Sequence, residues 1–229
     1  NTLYKTFKTD DTKYNAITDV TVTDITDGQE KEFKQIDELM YHVTKNCYYA
    51  MENDDGDFEI AWGVGLDDES QHRTYRITYR VKGAVAKYSD YAELYWQFVG
   101  EDFSIDAKNI KGTIYLPGMV ENKEDIKVWG HTEDLNGEIY VTGNNKIEFT
   151  LNNFNSGRYV EIRTLFPTNL ITSSTRGEQK EILNDVINEE TVWANEANER
   201  RTRKENQDKI ITSLIIIISL LLAIWFLSL

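Results

Sequence analysis

The sequence predicts a mainly β protein: an antiparallel β-sandwich, followed by a long α-helical stalk and one transmembrane helix. Three observations carry this reading. Apolar residues alternate with polar ones through most of the first 172 residues. The spacing then turns helical. The last twenty residues, 210–229, carry no charge.

Five segments show the two-residue period of a half-buried strand. Tyr75, Ile77, Tyr79 and Val81 share one face, with Arg76, Thr78, Arg80 and Lys82 on the other. Ala92, Leu94, Trp96 and Phe98 alternate with Tyr91, Glu93, Tyr95 and Gln97. Ile110, Gly112, Ile114 and Leu116 form a third set, Ile147, Phe149 and Leu151 a fourth, and Val160, Ile162, Thr164 and Phe166 a fifth. Shorter strands are expected at 41–44, 58–62, 126–129 and 139–142. One wet and one dry face per strand is the mark of antiparallel sheets. Asp27-Gly28, Asp55-Gly56, Asn136-Gly137, Gly143-Asn144-Asn145 and Ser156-Gly157 supply turn chemistry between them. Asn136-Gly137 is expected to close a hairpin. Residues 1–172 are read as one β-sandwich domain lacking its first strands.

Residues 173–209 read as the stalk. Thr175 and Glu178 have the spacing of a capping box. Ile182, Leu183, Val186, Ile187 and Trp193 recur at helical intervals, as on a face that packs against the sandwich or a partner helix. From 195 to 209 the pattern is polar all round. Residues 210–229 would span about 30 Å as a helix, the thickness of a bilayer core. The few hydroxyls in this run can bond back to helix carbonyls, and Trp225 suits an interfacial anchor. Mean hydropathy is nonetheless −0.52, which fits a polar body on a single anchor. The chain opens on Asn1 and stops inside the apolar run, so a fragment with segments missing at both ends is expected.

Composition narrows the function classes. Twenty-seven aromatic residues supply ample core, so disorder is excluded. The net charge is −14, and residues 1–172 account for −12 of it. Such a surface repels nucleic acid and anionic lipid. Cys47 is the only cysteine, which rules out an internal disulfide or a cysteine-rich zinc site. Neither a nucleophile elbow nor a phosphate-binding glycine loop occurs. No catalytic residue, metal or cofactor is assigned, and an enzyme is not expected.

The best candidate binding surface is the polar and aromatic strand face of Tyr91, Glu93, Tyr95 and Gln97, joined by Trp129 and His131. Tyrosine and tryptophan beside carboxylate, amide and imidazole groups suit a sugar or peptide. Aromatics at this period also make ordinary cross-strand pairs. Glu93 and Glu161 could be imagined as a glycosidase pair, but Arg163 beside Glu161 points to a structural ion pair on one face. Asp54, Asp55 and Asp57 around Gly56, and Asp67, Asp68 and Glu69, lack the register of a calcium loop and read as acidic turns.

The ordered series Tyr75-x-Ile77-x-Tyr79, Gly83-Ala84-Val85, Tyr88-x-Asp90, Glu93-Leu94-Tyr95-Trp96, Gly100 and Leu116-Pro117 resembles the exported N-terminal domain of the YciQ-like predicted membrane proteins, a bacterial family of unknown function. Trp129-Gly130-His131, Leu135-Asn136-Gly137 and the segment from Gly157 to Pro167 extend the resemblance. It covers roughly residues 15–170 and continues into the following helix. It implies a signal peptide upstream, an extracytoplasmic β domain, and further spans with a cytoplasmic tail downstream. Arg200, Arg201, Arg203, Lys204 and Lys209 before the span would by charge alone sit in the cytoplasm. The resemblance implies the opposite orientation, and the reading follows it. It brings no known activity and no catalytic residues.

The expected function is therefore an envelope interaction or structural module held to the lipid bilayer by its C-terminal helix. Envelope proteins or glycans are its expected partners, and nucleic acid is not among them. The alternatives are a carbohydrate-binding or glycan-acting protein and a membrane sensor.

Overall fold

A computed structural model describes residues 1–65, 72–133 and 136–227, with side chains described as far as Leu222. The chain is mainly β, with antiparallel sheets and one C-terminal helix. It divides into two compact units, Asn1–Glu181 and Ile182–Leu229.

The first unit holds four sheets. Strands β1 (Thr2–Phe7), β4 (Lys34–Gln35), β5 (Cys47–Glu52) and β6 (Phe58–Gly63) form one, in the order β1-β6-β5-β4. β2 (Ala16–Asp24), β3 (Lys31–Glu32) and β7 (Tyr75–Lys82) form the second, ordered β3-β2-β7. Among the described residues, β4 with β5 is the only parallel strand pair. Phe7, Val22, Ile60 and Trp62 from both sheets meet in one core, where the Phe7 and Tyr79 rings lie 5.0 Å apart, edge to face. β7 shows the expected alternation in full: Tyr75, Ile77, Tyr79 and Val81 pack on this core and the residues between them are exposed.

The third sheet is β11-β14-β9-β8, built from β8 (Val85–Lys87), β9 (Tyr91–Val99), β11 (Lys127–His131) and β14 (Val160–Pro167). The fourth is β10-β13-β12, from β10 (Ala107–Tyr115), β12 (Gly137–Gly143) and β13 (Lys146–Phe154). Ala92, Ile114, Ile147, Phe149, Ile162 and Phe166 close a second core between them. Gly112 sits opposite Phe149, and a Cβ at Gly112 would stand 2.0 Å from the end of that ring. The missing side chain is thus the space the ring occupies. Leu94 and Phe98 of β9 touch both cores.

Among the described residues, the region expected as one sandwich holds four sheets, and β9 contributes to both of these cores. Three local expectations are corrected. Asn136-Gly137 closes no hairpin, because β11 pairs with β14 while β12 pairs with β13, so this segment crosses from one sheet to the other. The two-residue hairpin lies at Asn144 and Asn145, whose carbonyls accept from Val120 and Leu116. Residues 41–44 form no strand; they lie across Gly63, where a Cβ would meet the Thr44 carbonyl oxygen at 2.2 Å. The capping box at 175–178 does not form either. Thr175 instead donates to the side chain of Asn15, Gly177 adopts φ +110°, and the helix begins at Leu183.

Residues 173–181 form a strap along the exposed edge of β8. The Lys87 amide donates to the Arg176 carbonyl at 3.0 Å, and the Ser89 amide to the Lys180 carbonyl at 2.9 Å. An edge strand left bare invites foreign pairing, and the strap covers it. The Arg176 guanidinium donates to the carbonyls of Thr12, Lys13, Gly83 and Ala84, joining the strap to the N-terminal half.

The second unit is α1 (Leu183–Leu227), 45 residues of helix. Its polar stretch carries an Arg203–Glu199 pair at 3.0 Å. Ser213 and Ser219 donate to the carbonyls four residues back, each at 2.8 Å, as expected of hydroxyls in an apolar helix. Among the described residues, no helix is long and apolar enough to cross a membrane. The uncharged run described with side chains, 210–222, is thirteen residues, about 20 Å of helix against a bilayer core of about 30 Å. The rest of the expected span, 223–229 with Trp225, lies outside the residues whose side chains are described.

Candidate functional site

The six expected surface residues lie on one face of the β11-β14-β9-β8 sheet. Register places Tyr95 opposite Arg163 and Arg163 opposite Trp129. One row along, Gln97 faces Glu161 and Glu161 faces His131. Glu93 and Tyr91 continue the β9 side. Directly opposed residues share a face, so sequence alternation on three strands converges here.

The face is filled by its own charges. Arg163 Nε donates to Glu93 Oε1 at 2.6 Å, and both side chains are about nine-tenths buried (9% and 11% exposed). The Arg163 guanidinium lies 5.0 Å from the centre of the Tyr95 ring. The Lys13 ammonium lies 5.0 Å from the same centre. Tyr95 meets His131 edge to face at 5.9 Å. Glu161 accepts from Lys13 at 2.9 Å, and its second oxygen is 4.0 Å from His131 Nδ1.

Each carboxylate thus has its own cation. Two pairs stand on this face, Glu93–Arg163 and Glu161–Lys13, and Glu161 and Arg163 share it as expected. Glu93 is the diagonal cross-strand neighbour of Arg163, and such neighbours lie within reach of long side chains. Tyr95, flanked by two cations and an imidazole, is a strut of the network and not an open stacking platform. The arrangement binds the sheet face together, and it presents neither a free nucleophile nor an acid and base facing a cleft.

Lys13 is the member that sequence reasoning missed. It comes from a turn in which the Lys13 and Tyr14 amides both donate to the Asp10 carbonyl. β8 pairs with β9 only over Ala92 to Leu94, and the turn lies beside β9 beyond that point. Lys13 covers Tyr95 on one face while the Tyr14 ring meets Trp96 at 5.6 Å on the other. Sequence reasoning also passed over Tyr115 and Tyr140, which are 68% and 58% exposed on the outer face of the β10-β13-β12 sheet. They flank Lys146 and Glu148, which pair at 2.7 Å. The available signal was their alternation with Ile114, Ile139 and Val141.

Of the acidic clusters, Asp54, Asp55 and Asp57 lie in the β5–β6 turn. The Asn53 side chain accepts from the Asp55 and Asp57 amides, and Asp57 accepts from Lys8 at 2.9 Å. The Thr9 amide, and after it the Lys8 ammonium, hold the Asp57 carboxyl below the usual range. The Asp67, Asp68 and Glu69 cluster lies outside the described residues. Among the described residues, no three His, Cys, Asp or Glu side chains are grouped to hold a metal ion. Cys47 is a half-buried free thiol beside a small core of Val43, Tyr49 and Ala61.

Neither a curated protein nor a solved structure matches the chain significantly. A family model described as the N-terminal domain of a predicted membrane protein, DUF2207, matches residues 2–166. The match takes in both layered halves and most of the chain, and this protein belongs to that family of predicted membrane proteins.

Proposed function

We propose that this chain is a membrane-anchored envelope module whose β-rich body stands outside the cell and acts by contact, not by catalysis. The observation that carries the reading is the C-terminal half of α1. Ten isoleucines and leucines between Ile210 and Leu222 are each more than half exposed, and they lie on every side of the helix. An apolar surface all round a helix requires an apolar environment, and in sequence the uncharged run continues to Leu229. Membership of a family described as predicted membrane proteins supports a bilayer as that environment.

The orientation follows the family resemblance, and the acidic body is in keeping with it. Its net charge of −12 would be repelled by the anionic inner leaflet. The outer face of the β10-β13-β12 sheet is what such a module offers to an envelope protein, with Tyr115 and Tyr140 as amphipathic contact residues. A contact module is preferred to a carbohydrate-binding one because Lys13 and Arg163 both lie against the Tyr95 ring.

The test is a tag at the N-terminus of the body in the full-length protein, with protease added to intact cells. Loss of the tag is the expected result. Protection until the cells are lysed would place the body inside and overturn the proposal.

A further inference from the structure

β1 and β7 are the outer strands of the two facing sheets in the N-terminal half, and they part around a cavity of about 300 Å³. Small-molecule sites begin at roughly this size. The walls are mainly apolar and aromatic, with Trp62, Ile77, Tyr79, Phe98 and Phe103 among them, and the one carboxylate in the lining, Asp102, is paired with Lys8 at 3.1 Å.

Two nitrogen donors in this wall have capacity to spare. The Lys5 ammonium donates to the Phe98 carbonyl at 3.2 Å and lies 4.7 Å from the centre of the Phe7 ring. An ammonium has three donors, and among the described residues Lys5 has no carboxylate partner. Trp62 is only 7% exposed, and its indole N–H has no acceptor among the described residues. Buried donors are nearly always paired, so an orphan beside an uncompensated cation is a departure that calls for an acceptor.

The two donors are neighbours. Leu3 is opposite Trp62 and Lys5 is opposite Ile60, which puts Lys5 and Trp62 diagonally across the β1–β6 pair on its core-facing side. Diagonal neighbours stand about 7–8 Å apart at the backbone, a gap that one carboxylate can bridge. One positive charge, one neutral donor and an apolar chamber are the complement of a single carboxylate on a short apolar body.

We propose that this cavity binds a small apolar monocarboxylate, with Lys5 and Trp62 holding the carboxylate and Ile77, Tyr79 and Phe103 lining the tail. Burial without a counter-charge already lowers the Lys5 amine to about 8, and a bound carboxylate would supply that charge.

Hexanoate is the probe, titrated calorimetrically into the full chain in lipid nanodiscs, with uncharged hexanamide as the comparison. Saturable hexanoate binding is expected, with hexanamide weaker by roughly tenfold or more, the scale of a charge-assisted contact. Lys5→Met should lose hexanoate affinity by roughly 10- to 100-fold, and Trp62→Phe should weaken it less. In the unaltered chain, saturating hexanoate should slow acetylation of Lys5, read by mass spectrometry, which needs no variant to fold. Equal binding of acid and amide, absence of saturation, an unchanged Lys5→Met, or no protection of Lys5 would each overturn the proposal.

Discussion

Lys13 and Glu161 stand 148 positions apart in the chain and meet at 2.9 Å. Their contact ties a turn from the N-terminal half to the central strand of the third sheet. With Glu93–Arg163 beside it, it makes this polar cluster a joint between the two halves.

The Glu93–Arg163 pair is buried enough that removing one partner strands the other. Glu93→Leu or Arg163→Met alone should destabilise the fold by about 3–5 kcal/mol, while Glu93→Leu with Arg163→Met together should recover most of that. Urea denaturation of the four proteins, arranged as a double-mutant cycle, gives the comparison. A double variant as weak as the worse single one would show that the pair is not the unit of stabilisation.

Arg176 clasps four carbonyls and carries the strap that pairs with β8. Arg176→Ala should release the strap, so that the Lys87 and Ser89 amides exchange with solvent at least about tenfold faster. Amide exchange read by NMR or mass spectrometry reports this directly, and the core amides of β13 should change much less.

Gly177 has φ +110°, and a Cβ there would lie 1.9 Å from the Lys87 carbonyl oxygen. Gly177→Ala therefore meets both backbone strain and a clash with backbone, and should cost about 2 kcal/mol or more. The same change at Gly157, where φ is +73° but nothing stands within 4 Å, should cost less. Thermal midpoints of the two variants rank the two effects.

Lys5 gives a pH dependence of definite sign. Its folded-state pKa is about 8, lowered by burial from 10.5. Between these values the unfolded chain holds a proton that the folded chain has released, so stability rises with pH. The urea midpoint should climb between pH 7.5 and 9.5, and the climb should shrink in Lys5→Met. Tyr49 and Tyr79 are pushed the other way by burial, and they oppose the rise only above the ordinary tyrosine range near 10.

The β elements were legible wherever alternation ran unbroken, as in β7, where every second side chain packs inward. β2 was not legible, although it is nine residues long. Asp19 sits at φ +53° and the pairing with β7 shifts between Thr18 and Thr21. This irregularity lets Ile17 and Val22, five positions apart, both point into the core, which breaks the two-residue period. β1 and β5 were missed for other reasons: β1 carries Lys5 among its inward residues, and β5 buries the adjacent Tyr48 and Tyr49 in separate cores, so neither shows a clean two-residue period.

The candidate face shows the same division. Alternation placed Tyr91, Glu93, Tyr95 and Gln97 on one side of a strand, and cross-strand register brought Trp129 and His131 to them. The ion-pair partners were not legible. Arg163 reaches Glu93 on the neighbouring strand, and only three-dimensional register brings that carboxylate within reach. Lys13 has no local pattern that points to Tyr95, because the contact depends on where β8 stops.

β9 lends Leu94 and Phe98 to both hydrophobic cores. A substitution at either position is felt on both sides at once, so the packing of one core constrains the side chains that the other will accept.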